Sequence, residues 1–157
     1  MKFAILLSLL VFLGNCTDDS SSDSKDGNDG ARDISETTVR QSVQSEEGQL
    51  LISTSWCYSD SSEDSSGNYM YTLNIYTFLN NGAVKYIKLD LSNNNVVENI
   101  EGKWGIQGTN LLMIGGNQNI NVPFRVAADL LTFTVESEDE NGSTALENIE
   151  LNPCEIE

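Results

Sequence analysis

The sequence predicts an all-β, antiparallel domain, a sandwich or a barrel, and three observations point to it. From Leu50 onward, short β-branched and aromatic runs recur at roughly ten-residue spacing, the pattern of a strand meander. Asn/Gly punctuation such as Asn80-Asn81-Gly82 falls between those runs, where hairpin loops need residues that tolerate positive φ. Beyond the first 15 residues, no segment repeats apolar side chains at helical spacing for long enough to bury a face. Strands are expected near 50–58, 69–79, 83–91, 95–106, 110–115, 119–127 and 130–137.

The chain opens with Met1-Lys2, an apolar-to-small run from Phe3 to Leu13, and Gly14-Asn15 ahead of Cys16. A basic start, a short greasy stretch and small residues before a cut form a secretory signal. The run is well short of the ~20 residues that a permanent membrane-spanning helix needs. Leu13-Gly14-Asn15-Cys16 resembles the lipobox of bacterial lipoproteins, with Asn15 where Gly or Ala is usual. The resemblance implies a signal peptide over 1–15 and fatty acyl groups, palmitate among them, on Cys16. It also implies residence in the bacterial cell envelope as an outer-membrane lipoprotein. Thr17-Asp18-Asp19 resembles the acidic flags that send some lipoproteins to the cell surface. One acyl chain binds a bilayer marginally, whereas two or three hold firmly, at ~0.8 kcal/mol per buried methylene.

Residues 16–47 are rich in Ser, Asp, Gly, Asn, Glu and Gln with scattered aliphatics, so a flexible acidic tether is expected there. Asp23, Asp26 and Asp29 recur at three-residue spacing, but the register of a calcium-binding loop is absent and a solvated spacer is the better reading. The working domain is then 48–157, including a C-terminal tail from Glu136 that reads as acidic and irregular.

Three hairpins have registers that the residues decide. A three-residue loop ending at Gly82 sets Phe78 against Val84, Tyr76 against Tyr86, Ile75 against Ile87 and Leu73 against Leu89. A two-residue loop would set Ile75 against Lys88 and Leu73 against Asp90, so the apolar match selects the longer loop. Turning at Gly108-Thr109 pairs Trp104 with Met113 and Ile106 with Leu111. Turning at Ala128-Asp129 pairs Val126 with Leu131, Phe124 with Phe133 and Val122 with Val135. Pro123 has no N–H for a ladder and marks an edge or bulge.

Trp56, Tyr76-Thr77-Phe78-Leu79-Asn80-Asn81-Gly82, Glu101-Gly102-Lys103-Trp104-Gly105-Ile106 and Leu111-Leu112-Met113-Ile114 together resemble the small lipocalin-like domains of bacterial lipoproteins. The resemblance covers roughly 48–137. It implies an up-and-down meander closing into a small barrel with one mouth and an apolar interior. The polar stretch Asp60–Asn68 would be a loop beside that mouth, and no glycine stands two places before Trp56, where the family's Gly-x-Trp has one.

Charge narrows the function. The chain carries 8 basic and 24 acidic residues, a formal net charge of −16. Removing the signal takes Lys2 and leaves 7 against 24, or −17. Such a chain repels phosphate backbones, so no nucleic-acid partner is expected. There is no histidine, which removes triad catalysis and histidine-based metal sites. Asp90, Glu98 and Glu101 are the strand-region carboxylates, and nothing isolates a catalytic pair among them, so no enzyme activity, metal or cofactor is expected. With Cys16 carrying lipid, Cys57 and Cys154 remain as an even pair in an oxidising setting. A disulfide between them is worth up to ~4.7 kcal/mol in loop-closure entropy; the alternative is two buried thiols.

Trp56, Tyr76, Tyr86 and Trp104, with Tyr69 and Tyr71 beside them, are candidates to line a cavity for a small hydrophobic ligand, or else plain core filling. The alternative is a packed barrel that displays acidic loops to a basic protein partner, such as a wall-degrading enzyme of the lysozyme kind.

Overall fold

The computed structural model describes residues 33–63, 67–138 and 144–155. Cys16, the leader and the aspartates at 23, 26 and 29 lie outside the described residues. Eight antiparallel strands close into a barrel in chain order: β1 (Ser55–Glu63), β2 (Tyr69–Phe78), β3 (Ala83–Asp90), β4 (Asn95–Gln107), β5 (Asn110–Gly115), β6 (Gln118–Val126), β7 (Leu131–Glu138) and β8 (Thr144–Pro153).

The β2–β3 hairpin has the expected three-residue loop, with Gly82 at φ 80°. Its register pairs Phe78 with Val84, Tyr76 with Tyr86, Ile75 with Ile87 and Leu73 with Leu89. The β4–β5 hairpin likewise pairs Trp104 with Met113 and Ile106 with Leu111. In the β6–β7 hairpin, Val126 faces Leu131 and Phe124 faces Phe133. The ladder stops there, however, and the expected Val122–Val135 pair is not part of it. Pro123, next along β6, has no N–H with which to continue.

Alternation along each strand sorts the side chains. Trp56, Phe78, Val84, Trp104, Leu111, Met113, Leu131, Phe133 and Leu151 form one buried inner cluster. This packing fills the half of the barrel where β1 begins and β2 ends. Phe78 meets Trp104 edge to face, with centroids 5.5 Å apart. The opposite row of β2 and β3, holding Leu73, Ile75, Ile87 and Leu89, is half-buried on the outside. The residues that fixed the hairpin register are therefore apolar on both faces. The outward rows of β6 to β8 carry Asn119, Asn121, Arg125, Thr132, Thr134, Glu136, Asn148 and Glu150. That polar side is incompatible with a continuous lipid-facing band around the barrel.

Two helices correct the expectation of no helix after the leader: α1 (Glu36–Gln44) and α2 (Glu46–Ile52). The last part of the expected 16–47 tether is thus folded, and 46–52 is helical, so the first strand begins at Ser55 instead of 50. Ser35 caps α1 by accepting from the Thr38 N–H at 3.1 Å, and Ser45 caps α2 by accepting from Gly48 at 3.0 Å. Glu36, Glu46 and Glu47 sit in first turns, where the helix dipole favours acids. The pattern escaped periodicity because α1 is short and its docking face mixes Val39 and Val43 with Thr38 and Ser42. Ile34, Thr38 and Ser42 lie over Gly105, where a Cβ would come within 2.9 Å of Ile34 Cγ2. From α2, Leu51 is wholly buried in the inner cluster, and its carbonyl accepts from Trp56 Nε1 at 3.0 Å. The helices therefore close this end of the barrel.

A second correction concerns the tail. Residues 144–153, read as irregular, form β8, whose inward Ile149 and Leu151 face Phe133 and Leu131 of β7. Asn148, Glu150 and Asn152 on its outward row and Glu147 on its inward row hide the alternation in composition. β1 also runs on to Glu63, so the first part of the expected Asp60–Asn68 loop is strand. The closing β1–β8 seam has only the pairs Trp56–Pro153 and Cys57–Asn152, and the expected disulfide joins Cys57 to Cys154 across it, with Cα atoms 5.1 Å apart.

Candidate functional site

With one end closed by helices, the other end is where the barrel admits solvent. It is rimmed by the end of β1, the start of β2, the end of β3 and the start of β4, with the corresponding ends of β5 to β8 opposite. Inside, the two walls differ. The inward rows of β1 to β4 carry Tyr58, Asp60, Thr72, Asn74, Tyr76, Tyr86, Lys88, Glu98 and Ile100 toward this mouth, whereas β5 to β8 offer Ile120, Val122, Val135 and Ile149, with Gln118 and Glu147 nearer the rim.

The sequence-derived candidates fall into two layers. Trp56 and Trp104 are completely buried in the closed half, and their indole N–H groups donate to the carbonyls of Leu51 and Leu79, each at 3.0 Å. Tyr76 and Tyr86 stand one layer toward the mouth, with rings 4.9 Å apart and tilted by 39°. Tyr76 also meets Phe133 edge to face at 5.7 Å, tying the tyrosine layer to the core. Tyr69 and Tyr71 lie on the outward row of β2 and are 52% and 56% exposed.

Asn74 is the residue that sequence reading passed over. It sits on the inward row of β2, opposite Tyr58 of β1 and Lys88 of β3, and is 1% exposed. Its Oδ1 accepts from the Tyr86 hydroxyl at 2.8 Å, but Nδ2 has no partner and is the lone such buried side-chain atom among the described residues. A buried amide nitrogen left without a bond costs roughly 1–3 kcal/mol. Exchanging the amide ends only exchanges an open donor for an open acceptor, because the Tyr86 hydroxyl can serve either. A polar side chain within Thr72-Leu73-Asn74-Ile75-Tyr76, on the same face as Tyr76 and Phe78, was the available signal.

Burial and neighbouring carboxylates keep this layer uncharged at its phenols. Burial pushes the Tyr58 phenol up to about 12, with the Asp60 carboxylate adding to it. Tyr76 and Tyr86 are also held above the ordinary phenol range, first by burial, then by Tyr58 and by the Glu98 carboxylate. All three phenols stay protonated at neutral pH, available as donors and as aromatic faces. The arrangement is a polar, tyrosine-walled bowl above a packed floor. Two outer clefts, of about 570 and 490 Å³, flank α1 at the opposite end and involve none of these tyrosines.

No protein-family model matches the chain, and no curated protein matches it. The eight-stranded up-and-down barrel is compatible with a lipocalin-like binding fold.

Proposed function

We propose that this chain is a binding module that takes a small, largely apolar molecule with a polar head into the mouth half of its barrel. The observation that carries this is Asn74. A polar group 1% exposed, with its nitrogen unbonded, is tolerated where a ligand completes the bonding. The ligand's apolar part would lie against Ile120, Val122, Val135 and Ile149, with its head toward Tyr58, Asn74, Tyr76 and Tyr86. Trp56 and Trp104 belong to the floor and support these side chains from below.

The lipobox-like sequence at Cys16 supports attachment of this module to the bacterial envelope, at the outer membrane, by acyl chains. Mass spectrometry of the wild type and of Cys16→Ala tests that part: fatty acid must be present on the first and missing from the second. For the ligand, calorimetric titration of the full chain with short amphiphiles should give saturable binding that Asn74→Leu abolishes. Absence of saturable heat across the set defeats the reading.

A second reading draws on the outer apolar row of β2 and β3. Leu73, Ile75, Ile87 and Leu89 continue there into Tyr71, Leu91 and Val96, which are 56%, 45% and 59% exposed. On a chain of net charge −16, such a face suits a basic protein. Salt-sensitive association with lysozyme, lost on Leu89→Ser, would favour it.

A further inference from the structure

We propose that the mouth bowl selects small organic cations over anions of the same length, holding an ammonium head against Tyr58, Tyr76 and Tyr86 between the carboxylates of Asp60 and Glu98. This rests on the reading of the barrel as a ligand-binding module and names the class of ligand.

Three features converge. Protonated phenol rings present negative faces, and Tyr76 and Tyr86, in contact at 4.9 Å and tilted by 39°, form one continuous aromatic surface against which a cation can rest. Tyr58 stands on neighbouring β1, opposite Asn74 of β2. Around the rings, the inward rows carry Asp60, Asp90, Glu98 and Glu147 against a single cation, Lys88, among the described residues. Asp90 is occupied by its own turn, where it accepts from the Ser92 amide at 2.8 Å and the Asn93 side chain at 2.9 Å. Asp60, Glu98 and Glu147 are not committed to ion pairs: the two among the described residues are Lys85–Glu101 and Lys103–Asp33, both on the outside.

Asn74 supplies the directional part. With Tyr86 switching from donor to acceptor, the amide turns its carbonyl oxygen toward the bowl, where it accepts from an ammonium N–H or meets its polarised CH groups. A carboxylate head would meet the same acidic wall and be repelled. Fatty acids are therefore poor ligands for this barrel, and amines or alkylammonium compounds good ones.

The test is calorimetric titration of the full chain with octyltrimethylammonium, 1-octanol and octanoate, below the concentrations at which each aggregates. The cation should bind about tenfold tighter than the alcohol, and octanoate most weakly. Glu98→Gln should weaken the cation about fivefold and octanol by less than about twofold, while Lys88→Met should strengthen the cation. The Asn74 side-chain amide resonances should shift as the cation binds. Octanoate binding as tightly as the cation, a cation affinity indifferent to Glu98→Gln, or shifts that spare Asn74 would overturn the selectivity and leave the ligand-binding reading standing. Failure of all three compounds to bind would instead defeat that reading itself.

Discussion

The hydroxyl of Ser42 on α1 accepts the backbone N–H of Ile106 on β4 at 2.6 Å, while donating to the Thr38 carbonyl at 2.6 Å. The β3–β4 ladder ends at the Ala83–Lys103 pair, so Ile106 has no strand on that side. A helix hydroxyl thus stands in for a missing β partner, and this is what fastens α1 to the barrel. Ser42→Ala leaves a buried N–H unbonded and should lower unfolding free energy by roughly 1–3 kcal/mol in urea titrations.

Gly82 and Val39 form a second fastening. Gly82 has φ 80°, and a Cβ there would lie 2.2 Å from Val39 Cγ1. Gly82→Ala should destabilise by ~1–3 kcal/mol through turn strain and the clash together. Adding Val39→Ala should restore only the part due to the clash. Unfolding of the two single variants and the double variant separates the contributions, and full additivity would refute the contact.

Reduction should act first at the seam between β1 and β8. Only two residue pairs and the Cys154 N–H to Ser55 carbonyl bond, at 2.8 Å, accompany the disulfide there. Replacing both Cys57 and Cys154 by Ser should cost ~2–5 kcal/mol. Hydrogen exchange should rise at Cys57 and Cys154 before it rises at Tyr76 or Ile87.

Asn74→Leu removes a buried unbonded nitrogen from the ligand-free protein. Its stability should rise or hold level, within about 1 kcal/mol, even though the Tyr86 hydroxyl loses a partner, because half-buried Tyr86 can turn to water. Thermal unfolding with and without ligand should show a gain in the apo state and loss of the ligand-induced shift.

Alkali should expose the tyrosine layer. Folding raises the Tyr58 phenol from 10.0 to about 12 and raises Tyr76 and Tyr86 as well. A group whose folded value lies above its unfolded one contributes stability that is complete below the unfolded value. That stability is lost as pH climbs through the folded one. Stability from these phenols should therefore be level below about pH 10 and decline from there toward pH 12. Tyrosinate absorbance should lag that of free tyrosine, then appear together with unfolding.

The β2–β3 register was legible because Phe78, Ile75 and Leu73 meet apolar partners in only one alignment. Which face would be buried was not legible, since both faces of β2 and β3 are apolar and only barrel closure decides between them. The helices were hidden because they are short: α1 docks through Thr38, Val39 and Ser42 against glycines, and α2 sends in little more than Leu51, so neither repeats an apolar stripe. Ser35 and Ser45, each followed by glutamate, were the overlooked signs. β8 was hidden by inward Glu147 and exposed Leu146, which invert the expected pattern, although Ile149 and Leu151 kept strand alternation. Trp56 and Trp104 were recognisable as large inward groups, but their depth depends on how far Leu51 reaches into the barrel. Asn74 was invisible as a site because an isolated amide in an apolar strand acquires meaning only when its neighbours fail to bond it.

The Cys57–Cys154 bond ties the beginning of the first strand to the residue just past the last, a separation of 97 positions that encloses every hairpin. A protease that nicks any one exposed turn of this barrel therefore releases nothing: both fragments stay covalently joined and paired through the remaining ladders. Shedding a piece takes two separate cleavages, a durable arrangement for a molecule whose rim loops face the surroundings.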